Sequence, residues 1–115
     1  MSKSKKNSKP VTEVLISKEV YGEAPQKDHF VLSNGNKLKD LKELTQSLER
    51  MPDEIFRHHV NPIKNDFSSW VKDVFNENSL ADDLKNLHSK VETELALQRH
   101  INARLEKLIK RLVKK

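Results

Sequence analysis

The sequence contains no cysteine, which excludes disulfide bridges and thiolate metal sites. It has two glycines, Gly22 and Gly35, too far apart to form a phosphate-cradling loop. Aromatic residues make up 5% of the chain, too few for a stacking platform that would hold single-stranded nucleic acid. No run approaches the roughly 18–20 apolar residues that a membrane-spanning helix requires. The basic stretch Met1–Pro10 is not followed by an apolar segment, so no secretory signal is expected. Together these absences fit a cytoplasmic protein.

What is present is charge. Charged residues account for 34% of the 115 positions and hydrophobic residues for 35%, which leaves room for one small core. The rest is expected to be tail or exposed helix. The charge is unevenly placed. Lys3, Lys5, Lys6 and Lys9 stand in residues 1–10 without an acid. At the other end Arg99, Arg104, Lys107, Lys110, Arg111, Lys114 and Lys115 face a single acid, Glu106. Since the whole chain carries only +5, its middle is net acidic. Basic ends of this kind meet nucleic acid, an acidic protein surface or the acidic body of a second copy.

Residues 1–10 are Lys/Ser/Asn-rich and read as a disordered basic tail. The β-branched residues of Val11–Tyr21 suit a short strand. Phe30 and Leu32 alternate ahead of Asn34-Gly35, a pair that favours a type I′ hairpin turn and hence a β-ribbon near 29–39. Asp40 is placed to cap a helix carrying Leu41, Leu44 and Leu48, with Glu43 at the capping-box position. Pro52 opens the next helix and Asn61-Pro62 stops it. Asn65 then caps a helix with Phe67, Trp70, Val71, Val74 and Phe75 at full helical spacing. Ser79, with Asp82 at its third helical position, is expected to cap a final helix that lacks proline and glycine through Val113. The chain therefore reads as an α-rich domain over residues 11–90 and a long basic C-terminal helix over 79–115. Its fold class is mainly α (α+β), and the last helix is amphipathic and coiled-coil-like. In heptad register Gln98, Ile101, Leu105, Leu108 and Leu112 form a seam that is expected to project and find a partner.

"DEIFRHHVNPIKNDFSSW", residues 53–70, concentrates the residues with chemical potential. His58 and His59 are adjacent, so on a helix they diverge by about 100° and cannot share one metal. A Ser68 or Ser69, His59 and Asp66 set can be picked out, but no nucleophile elbow accompanies it. No catalytic residue, metal or cofactor is therefore expected. Phe56, His58, His59, Asn65, Asp66, Phe67 and Trp70 read as the centre of a helical domain, with the histidine-to-Asp66 contact a structural one.

The same residues carry a resemblance. Phe30, Leu32 and Gly35, then Met51, Asp53, Glu54, Phe56, His58, His59 and Val60, then Asn65, Asp66, Phe67 and Trp70 before Leu80-Ala81, form a recurring pattern. It resembles a family of small archaeal and bacterial domains of unknown function, over about residues 29–87. That resemblance implies a domain boundary and no mechanism. The expected role is a non-enzymatic, homo-oligomeric interaction module whose basic ends contact a polyanion. The alternatives are an architectural DNA- or RNA-binding protein, or a helix lying on a membrane surface.

Overall fold

The computed structural model describes residues 10–114. These residues are mainly helical, and among them are six α-helices and one two-stranded antiparallel ribbon. Helix α1 (Val11–Leu15) runs directly into a π-helical segment, Ile16–Tyr21, where sequence propensity favours a strand. The physical reason is tertiary. Leu15, Ile16, Val20 and Tyr21 pack on the core side by side, a grouping that a wide helical turn presents and an alternating strand would split. Gly22 ends this segment at φ 71°, and a side chain there would meet the Phe75 ring at 3.0 Å.

After a 3₁₀ turn (Gln26–Asp28) come β1 (Phe30–Val31) and β2 (Lys37–Leu38), paired Phe30 to Leu38 and Val31 to Lys37. The turn between them is not type I′. Of Asn34 and Gly35 only Gly35 has positive φ, 93°, and the Gly35 N–H donates to the Leu32 carbonyl at 2.8 Å. This is the three-residue loop in which a glycine follows a tight turn as a bulge. The Asn34 side chain instead accepts the Asn36 N–H at 3.0 Å.

Helix α2 (Leu41–Arg50) is capped as expected: Asp40 accepts the Glu43 N–H at 2.8 Å, and Glu43 accepts the Lys39 N–H at 2.9 Å. Helices α3 (Asp53–His59) and α4 (Asp66–Phe75) follow, joined by a turn closed by the Val60–Asn65 bridge. Asn76 in the left-handed region ends α4.

The last predicted helix is two helices. α5 (Asn78–Lys85) starts before Ser79 and has no side-chain cap, and α6 (Lys90–Val113) starts afresh. Ser89 accepts the Glu92 N–H at 3.1 Å, a serine-x-x-glutamate cap that the absence of proline and glycine conceals in the sequence. Nor does α6 project. It lies along α2 and the π segment, with Thr93, Leu97, Ile101 and Leu108 buried. Lys90 fastens its start, donating to the Met51 carbonyl at 2.6 Å and standing 3.2 Å from Asp53. The core so formed centres on Phe67, Leu44, Leu84 and Leu97, all without solvent exposure. Among the described residues, no helix is long and apolar enough to cross a membrane.

Candidate functional site

The histidine region is built by α3, α4 and the ribbon. His59 closes α3 and is buried beside Phe30 and Phe67, while His58 is exposed. The His59 Nε2 accepts the Ser33 backbone N–H at 3.0 Å, so the ring carries its proton on Nδ1 and donates it to Asp66 Oδ2 at 3.0 Å. With Nε2 already occupied by a backbone donor, this ring has no free lone pair with which to take a proton from a substrate. Ser68 donates to the Ala81 carbonyl at 2.7 Å and Ser69 to the Asn65 carbonyl at 3.3 Å, so neither is paired with the imidazole. Partial burial opposes ionisation of Asp66, but the Lys64 ammonium, which donates to it at 2.9 Å, and His59 together hold its carboxyl below the usual range. The cluster fastens ribbon, α3 and α4 together.

Two further motif residues act the same way. Asn65 accepts the Ser68 N–H at 3.0 Å while its amide donates to the Leu84 carbonyl at 2.8 Å. Trp70 donates its indole N–H to the Asp28 carbonyl at 2.7 Å and packs edge-on against Phe30 and Phe75. Phe56 is buried against Phe67. Among the described residues no three His, Asp or Glu side chains converge as metal ligands would.

The terminal helix is where side chains are left over, and it has three faces. The first is the core face. Ile101 and Leu108, two of the five residues of the expected seam, belong to it and are unavailable to a partner. The second lies roughly 110° further round, at 100° per residue. It carries Val91, Leu95, Gln98, Asn102, Leu105, Ile109 and Leu112, spaced alternately by four and three residues. Val91 is 73% exposed, Leu95 47%, Ile109 50% and Leu112 40%, while Leu105 is half-buried. Gln98 and Asn102 form a polar interruption, the Gln98 amide donating to Asn102 at 3.3 Å. So the expected seam keeps Gln98, Leu105 and Leu112 and exchanges Ile101 and Leu108 for Leu95, Asn102 and Ile109. The four-three spacing is visible in the sequence, but two overlapping heptads run along this helix and only burial separates them.

The third face is basic. Arg99, Lys107, Lys110 and Lys114 are exposed and have no acidic partner within the described residues. Arg104 and Arg111, expected to join them, are paired with acids of the same chain. Arg104 pairs with Glu77 and donates to the Glu19 carbonyl at 3.2 Å, and Arg111 pairs with Glu19 at 2.9 Å. The hydrogen bond from Arg111 keeps the Glu19 carboxyl below its ordinary value. These contacts clamp the π segment onto α6. Lys3, Lys5, Lys6, Lys9 and Lys115 lie outside the described residues. A shallow groove beside the clamp, about 560 Å³, is lined by Asp83 and Leu87 of the α5 side and by Leu95, Arg99 and His100 of α6.

No protein-family model matches this chain, and comparison with curated proteins and with solved structures finds no match to it.

Proposed function

We propose that this chain is a non-enzymatic interaction module that self-associates through the second face of α6. One observation carries the reading: a four-three apolar stripe remains exposed after the helix has already buried a different face in its own core. A helix needs one apolar face to dock on its domain; a second, at coiled-coil spacing, has its use in contact with another helix. Sedimentation equilibrium at tens of micromolar is expected to give an oligomer. Ile109→Glu, at a half-exposed position outside the core, is expected to give a folded monomer. A wild-type chain that sediments as a monomer overturns the reading.

A second role is favoured by the unpaired basic face. Arg99, Lys107, Lys110 and Lys114 line one side of α6 and suit phosphate contact without selecting a base. Its test is the salt dependence of duplex binding, described in the Discussion.

A further inference from the structure

The outer face of α6 also carries an orientation, and the inference rests on the self-association reading above. Taken as a heptad, Leu95, Asn102 and Ile109 occupy the a positions, with Val91, Gln98, Leu105 and Leu112 at d. The flanking g position at the start is Glu94, and the charged e positions are Glu92, Arg99 and Glu106. The later g residues, Ile101 and Leu108, are buried in the chain's own core. Orientation therefore depends on four charges.

In a parallel, in-register pair a g residue meets the e residue five positions further along the other helix. That sets Glu94 opposite Arg99 of the second copy, twice, and neither has an ion-pair partner within the described residues. An antiparallel pair that aligned the polar layers would instead face e against e. Arg99 would then meet Arg99, and Glu92 would meet Glu106. The polar layer points to a single register. Asn102 at an a position and Gln98 beside it are bonded to each other within one helix. Across a two-fold axis they can bond to their counterparts instead, whereas a slip of one heptad would set each amide against a leucine, isoleucine or valine. We infer that α6 forms a parallel, in-register two-stranded coiled coil with a second copy of this chain, its two-fold axis running along the helices and its register held by Asn102.

The absence of cysteine makes the test direct. Leu112→Cys places one thiol per chain at a d position twelve residues from the middle of the Gln98–Asn102 polar layer. A parallel pair brings the two sulfurs within disulfide reach, and an antiparallel pair separates the two positions by roughly 36 Å. In a glutathione redox buffer the full-length Leu112→Cys protein is expected to form an interchain disulfide at least tenfold more readily than Ile63→Cys. Ile63 is 92% exposed on the α3–α4 turn and reports random collision. Equal cross-linking of the two, with the reduced protein sedimenting as a dimer, overturns the parallel orientation and leaves self-association standing. A reduced protein that sediments as a monomer overturns both. The charges give an independent readout. Arg99→Glu is expected to weaken the dimer several-fold, and adding Glu94→Lys to restore it. Failure of the second change to restore the affinity excludes the Glu94–Arg99 pairing.

Discussion

Asn65 serves two helices at once. Its carbonyl oxygen caps the start of α4 by accepting the Ser68 N–H, and its amide nitrogen donates to the Leu84 and Leu87 carbonyls at the end of α5. The first role is readable from the sequence, because asparagine before a helical stripe is a preferred cap. The second is not, because it requires knowing that the end of α5 returns to that point. The two roles can be separated. Asn65→Ala removes both and should cost about 2–4 kcal/mol, the loss of a cap plus a buried carbonyl left without its donor. Asn65→Asp keeps a good capping oxygen but turns a carboxylate towards two carbonyls, so it should be destabilised nearly as much. Urea unfolding of both variants checks this; an Asp variant as stable as the parent would show that the donor half contributes nothing. His59 is a similar case. Its place in the core follows from the stripe with Phe56, but its tautomer depends on the Ser33 N–H, which the ribbon delivers from 26 residues away.

Among the elements, α6 separates what local pattern can specify from what it cannot. Helix formation over 90–113 is legible from the lack of proline and glycine. Its start at Ser89 follows from a capping pattern hidden in an uninterrupted run of helix formers. The choice between its two overlapping apolar stripes is a matter of which neighbour arrives: α2 and the π segment take the stripe with Leu97, Ile101 and Leu108, and the other is left outside. The same packing sorts the basic residues, drawing Arg104 and Arg111 onto Glu77 and Glu19 and leaving four on the free side. If that side contacts phosphate, duplex DNA binding should fall with salt at a log–log slope of about −3 to −4 per chain from α6 alone. Lys107→Glu with Lys110→Glu should flatten the slope by about 2, since each phosphate contact contributes about −0.9. A fluorescence anisotropy titration at several salt concentrations measures it, and an unchanged slope in the double variant would remove the polyanion reading.

On the scale of the whole molecule, α6 meets α5, and the Glu77 that precedes it, around one partly buried histidine. His100 Nε2 has no hydrogen bond and stands 3.7 Å from Glu77, which is itself paired with Arg104. Burial, helped by the Arg104 charge, lowers its pKa below the ordinary 6.5, against the opposing pull of Glu77 and Asp83. The sign follows from proton counting. Between the folded and unfolded values the unfolded chain binds more protons, so stability rises with pH there and is lost as pH falls below about 6.5. Thermal unfolding is therefore expected at a midpoint a few degrees lower at pH 5 than at pH 7.5, and His100→Gln should reduce that difference. A difference unchanged in the variant would assign the pH dependence to other groups. Asp66 extends the same trend further down, because its lowered value makes its contribution present above about 3.8 and lost in stronger acid.

Local signals along the chain specify the α2 and α4 helices with their caps, the ribbon, the aromatic centre around Phe67 and Trp70, and the helicity of the last segment. Those depend on periodicity and on side chains reaching their own backbone within a turn. Long-range packing is what makes Val11–Tyr21 coil instead of extend and α6 fold back instead of project, and it selects which of two heptads stays exposed and which arginines pair within the chain. Each of these is a competition between nearly equal local options, and burial against a neighbour distant in sequence resolves it.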